Sequence, residues 1–165
     1  SAYALSAIGM PSVIPLQNAL DADQTEKRAD AATILGDLGT IASSAGKKLC
    51  EIYNDDDEIV RRRYVEALGT IKSNSPNVIP TLISALRDEQ ESVRQAAVMA
   101  ICRIGTSARK AIPALKEVIE DSNRYVRADA LHALRRINTT EAKDELIEQL
   151  MTARWCPLTS PESTF

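Results

Sequence analysis

Apolar residues between Pro80 and Gly105 recur three and four positions apart. Leu82, Ile83 and Leu86 form a short set, and Val93, Ala97, Ala100, Ile101 and Ile104 a longer one. Both spacings place the apolar side chains on one stripe of an α-helix. The polar stretch Asp88-Glu89-Gln90-Glu91 separates the two sets and reads as a turn. The same short-then-long pattern predicts helix pairs within residues 11–39, 43–71, 77–105 and 109–138. A last helix is expected over 140–153, and 1–9 reads as the end of a second helix without its first. No segment alternates with the period of two that a half-buried strand requires.

The pairs are copies of one another at a period of 33. Arg28, Arg61, Arg94 and Arg127 fall in one column; Leu35, Leu68, Ile101 and Leu134 in a second; Leu38, Ile71, Ile104 and Ile137 in a third. Asp55, Asp88 and Asp121 stand six residues before their arginines, and Ala22 replaces the acid in the first copy. An Asp there accepts backbone N–H bonds at the start of the second helix. Gly39 and Gly105 stand where second helices should stop. Pro15, Pro80 and Pro113, each after an Ile, suit a first helical turn. One such pair is too small to bury its apolar stripe. Stacked pairs can, so the expectation is an all-α, right-handed α-solenoid of about four to five helix pairs. It is read as one unit over 1–153 with an extended tail at 154–165.

The run Asp-x4-Val-Arg-x2-Ala-x2-Ala-[Leu/Ile]-x2-Ile is close to what stands at 88–104 and 121–137, and 55–71 fits it too. It resembles the HEAT-repeat superfamily, and most closely its short bacterial branch, the phycobilisome-lyase-like repeats. The resemblance implies that Asp55, Asp88 and Asp121 meet Arg28, Arg61, Arg94 and Arg127 in a structural ladder between repeats. It also implies that the second helices line a concave face. Some members of the branch are subunits of bilin lyases and others are binding scaffolds. One HEAT-type enzyme, deoxyhypusine hydroxylase, holds iron with repeated His-Glu pairs; this chain has a single His and no such pair, which excludes that activity.

Composition narrows the picture. Aromatics are only 4% of residues, so the core is built from Ala, Leu, Ile and Val, which suits closely packed helices. A net charge of −3 gives no basic surface for nucleic acid, and no apolar run is long enough to span a membrane. Cys50, Cys102 and Cys156 are far apart, which favours reduced thiols, a reducing compartment and a cytoplasmic location. No metal cluster, nucleophile elbow or phosphate loop is present, and no cofactor is expected. The acidic run Asn54-Asp55-Asp56-Asp57-Glu58 lacks the spacing of a calcium loop, and the arginines at 61–63 are expected to neutralise it locally.

If second helices line the concave side, their polar columns form the contact surface. These columns contain Arg62, Glu66, Gln95, Met99, Arg103, Tyr125, His132 and Arg136. Of the three arginines at 61–63, only Arg62 is expected on this face. Residues 1–60 hold four Lys/Arg against ten Asp/Glu, and the remainder sixteen against thirteen, so the chain runs from net −6 to net +3. The C-terminal end of the groove therefore suits an acidic segment of a protein partner. His132 is too far from Glu66, its column neighbour two repeats away, to form a catalytic pair. The expected function is a non-catalytic protein-interaction scaffold; the alternative, from resemblance, is a bilin lyase-like subunit, with Arg103, His132 and Arg136 available for pigment propionates. The half-repeat at 1–9 leaves Leu5 and Ile8 without a partner helix. That fits a fragment of a longer solenoid, a second copy packed on this end, or a short cap. Trp155 is expected to fold back over Leu146 and Leu150.

Overall fold

The structure, a computed structural model, describes residues 10–152. Expectations for 1–9, and for Arg154 to Phe165 with Trp155 and Cys156, lie outside the described residues. Nine α-helices follow in order among the described residues: α1 (Val13–Ala19), α2 (Thr25–Leu38), α3 (Gly46–Glu51), α4 (Glu58–Thr70), α5 (Val78–Ala85), α6 (Glu91–Ile104), α7 (Ile112–Val118), α8 (Arg124–Ile137) and α9 (Thr140–Thr152). No strand occurs among them. Odd-numbered helices are the first members of each pair and even-numbered ones the second. The whole is an α-solenoid.

The second helices pack on one another in sequence: α2 on α4, α4 on α6, α6 on α8. First helices pack mainly on their own partners and on the connecting segments. Small residues permit the close approach. A Cβ added at Gly36 would sit 3.4 Å from the Ala67 Cα, and one at Gly69 only 2.7 Å from the Ala100 Cα. The matching residue of the next copy is Cys102, which is buried.

The repeat columns form the core. Leu35, Leu68, Ile101 and Leu134 are fully buried, as are Ile71 and Ile137. Ile104 is only half-buried, because it borders a cavity. Tyr64 is the largest fully buried side chain, and its hydroxyl lies 3.4 Å from the Leu20 carbonyl. Burial, with the Asp55 charge, pushes that phenol up to about 12.

All four second helices are followed by a residue of positive φ: Gly39 (57°), Lys72 (47°), Gly105 (67°) and Asn138 (57°). Three of these are types that tolerate the left-handed region; Lys72 does not gain from it. Two of the connections wind into 3-10 helices, Gly39–Ala45 and Gly105–Ala111, and bury Ala42, Ala45, Ala108 and Ala111. The expected first helices begin at 43 and 109, so the sequence pattern covers only the second half of each segment and not the turn at 40–42 or 106–108. The α4–α5 connection does not wind in this way: it carries Lys72-Ser73-Asn74-Ser75-Pro76, and Pro76 has no N–H to give.

The Asp and Arg columns meet across neighbouring repeats. Arg28 Nε donates to Asp55 Oδ2 at 2.7 Å and Nη2 to Oδ1 at 3.0 Å. Arg61 repeats this with Asp88 (2.8 and 3.0 Å) and Arg94 with Asp121 (2.7 and 3.1 Å). Nη1 of each arginine donates to two backbone carbonyls of the turn before its own helix, as at Asp55 and Asp56 for Arg61. Each Asp also accepts the N–H two residues on, as at Asp57, Gln90 and Asn123. Arg127 keeps the carbonyl bonds, to Asp121 and Ser122, but has no carboxylate partner among the described residues. The ladder corrects one expectation. The arginines at 61–63 do not neutralise the acidic run at 54–58: Arg61 pairs with Asp88, and Arg62 and Arg63 both pair with Glu66.

Candidate functional site

The exposed stripe of the second helices carries the residues singled out above. Five of them border a single cavity of about 230 Å3 between α4 and α6: Arg62, Glu66, Gln95, Met99 and Arg103, joined by Ser92 and Ala96. Tyr125, His132 and Arg136 lie one repeat further, on α8, and do not line it. The chain pattern made this grouping legible, since the five occupy adjacent columns of two neighbouring copies.

Side-chain pairing within the stripe was not legible. Glu66 is held by two cations, accepting from Arg62 Nε at 2.9 Å and Arg63 Nη1 at 2.8 Å. Burial opposes its ionisation, but these two donors outweigh burial and hold the Glu66 carboxyl below the usual carboxylate range. Arg63, expected to point elsewhere, thus belongs to the same cluster. Gln95 Nε2 donates to Asp129 Oδ2 at 3.0 Å, tying α6 to α8. Asp129 shares a column with Arg63 and Ala96, beside the columns read as contact surface.

Beyond these pairs the cationic groups are open. Arg103, Arg136 and His132 are exposed, and none has an ion-pair partner among the described residues. Two apolar side chains project from the starts of second helices: Ile59 is 56% exposed and Tyr125 58%. The Arg124 guanidinium lies over the Tyr125 ring at 4.7 Å and donates to its hydroxyl at 2.7 Å, which holds the ring in place. The stripe therefore offers a neutralised acid, open arginines, a Met and two exposed apolar anchors.

The described residues contain no group of His, Cys, Asp and Glu placed to hold a metal ion. Cys102 is buried, and burial pushes the half-buried Cys50 thiol up, so neither is an activated nucleophile. Among the described residues no helix is long and apolar enough to cross a membrane.

Comparisons with known proteins agree with this architecture. The family described as HEAT repeats matches residues 13–102, 46–135 and 79–155 in overlapping windows. Among solved structures, the complex of CpcE and CpcF of phycocyanin lyase from Nostoc sp. PCC7120 is similar, with 24% identity, TM-score 0.69, and coverage of 80% of this chain and 85% of that one. A designed armadillo repeat protein in complex with the peptide (KR)4 matches at 22% identity and TM-score 0.65, covering 89% of this chain and 79% of that one. The Pds5–Scc1 structure matches at 16% identity and TM-score 0.61, covering 85% of this chain and 26% of that one. At these identities the likeness establishes the fold. No curated protein sequence matches the chain at a significant level.

Proposed function

Because the chain belongs to the HEAT-repeat family, we propose that it is a non-catalytic interaction scaffold whose second helices hold an extended segment of a protein partner. The second helices pack on one another through glycine and alanine, which supports reading them as the layer that lines the concave face. One observation carries the reading: Arg62, Glu66, Gln95, Met99 and Arg103 come together at one groove between α4 and α6. Peptide binding by a designed armadillo solenoid supports it by analogy. That neighbour holds a basic peptide. The open Arg103 and Arg136 here favour an acidic segment instead, with Tyr125 as an apolar anchor.

The test is capture from native extract with wild type and an Arg103→Glu/Arg136→Glu variant, followed by titration of the purified partner. Both arginines are exposed, so the variant keeps its fold. Loss of affinity by roughly tenfold or more supports the groove; unchanged affinity removes it.

A second reading, a chromophore-handling subunit, draws on the phycocyanin lyase neighbour. The groove cavity of about 230 Å3 lies below the ~300–1,000 Å3 of small-ligand sites, whereas a second cavity that Arg103 borders reaches about 500 Å3 but does not include His132 or Arg136, the other two groups this reading needs. A linear tetrapyrrole added to the protein at high micromolar concentration is expected to leave the visible spectrum unchanged; a shifted band would favour this second reading.

A further inference from the structure

A separate cavity of about 500 Å3 opens at the α4–α5 turn. It exists because this connection departs from the other two. Where Ala42 and Ala108 wind inward and are fully buried, the matching residue is Ser75, in a segment that forms no 3-10 helix. The space is left with an apolar floor of Leu68, Val78, Ile79 and Ile104. Its rim carries Lys72 and Arg103 with the hydroxyls of Ser73, Ser75 and Ser107.

Two features of the rim point to a ligand. Lys72 and Arg103 have no carboxylate partner among the described residues, whereas the ladder arginines 28, 61 and 94 each hold one. Lys72 also stands at φ 47°, where the matching copies have Gly39 and Gly105. A side chain in that region is disfavoured, and here it places an ammonium on the cavity rim.

We propose that this cavity captures the C-terminal residue of a protein partner, with an apolar side chain on the floor and the free carboxylate between Lys72 and Arg103. An internal Asp or Glu carries its charge on a short stem and would leave the apolar floor uncovered. A C-terminal Leu or Phe joins a carboxylate and a large apolar group at one carbon, which matches both halves of the lining. The proposal deepens the scaffold reading, on which it rests for the nature of the partner. Arg103 borders both cavities, so a chain lying in the groove can end here.

The test uses N-acetyl-leucine as the probe, with N-acetyl-leucinamide and inorganic phosphate beside it, titrated into the isotopically labelled full chain and followed by amide NMR. The carboxylate form is expected to move the amides of 72–75, Ile79 and Ser107, and to bind roughly tenfold tighter than the amide. Lys72→Gly, which installs the residue of the matching copies, should keep the spectrum of the fold and lose most of that preference. The probe reports this cavity alone, and the partner titration with Arg136→Glu reports the groove, so failure of one is distinguishable from failure of the other. Equal binding of acid and amide, equal effect of phosphate, perturbation elsewhere, or an unaltered preference in Lys72→Gly would each overturn the proposal.

Discussion

At the scale of single residues, the Arg61–Asp88 rung shows what the ladder contributes. The two side chains are 10% and 7% exposed and share two charge-assisted bonds. Burial by itself would raise the Asp88 carboxyl, but Arg61, the Gln90 N–H and the Tyr53 hydroxyl all donate to it and hold it below the usual range. Burial, followed by the Asp88 bond, pushes the Tyr53 phenol well up. Removing one partner strands a buried charge, so Asp88→Ala should cost about 3–5 kcal/mol. Arg127→Ala removes only carbonyl bonds and should cost about 1 kcal/mol; urea denaturation of both variants checks the contrast. The pH dependence follows from the same geometry. Asp88 and Asp121 bind their protons more weakly folded than unfolded. Their contribution is complete above the unfolded value of about 4 and disappears as pH falls through the lower folded values. Thermal melts should therefore be level from pH 7 to about 5 and drop below about 4, less steeply in Asp88→Asn.

At the scale of elements, the spacing of second helices is set by single small residues. Gly36 and Gly69 occupy matching positions but face different tolerances, 3.4 Å against 2.7 Å to the opposing Cα. Gly36→Ala gains helix propensity and should be neutral or stabilising by up to about 1 kcal/mol. Gly69→Ala drives a methyl into α6 backbone and should cost about 2 kcal/mol despite the same propensity gain. Equal melting temperatures for the two would mean that α4 and α6 are further apart than described. Ile101, fully buried in the last turn of α6, gives the coarser test: Ile101→Asp places an unpaired charge in the core and should abolish cooperative unfolding followed by circular dichroism.

For the whole molecule, each repeat touches only its neighbours, and the charge gradient runs along the stack from net −6 in residues 1–60 to net +3 beyond. Arg103→Glu/Arg136→Glu reverses the open end of that gradient without touching the core. Its stability should stay within about 0.5 kcal/mol of wild type, and partner affinity in the wild type should fall as salt rises, since exposed charges are screened beyond a Debye length of ~8–10 Å. Affinity insensitive to salt would place the partner on an apolar surface instead.

The helix pairs, their period and the core columns were readable along the chain, because a 33-residue repeat puts equivalent residues in equivalent surroundings and helical spacing fixes which face is apolar. The departures from the repeat were decided in three dimensions. Which carboxylate Arg63 would choose depended on the rotamers available one turn away on α4. Whether a connection winds into a 3-10 helix depended on Ala at its inner corner, and a Ser there, with Pro76 beside it, left the cavity under Lys72 and Arg103. Periodicity determines what each copy shares, and packing between copies determines where they differ, because pairs such as Gln95 with Asp129 and Arg87 with Glu117 meet across an interface from 34 and 30 residues apart, a separation that no local pattern reports.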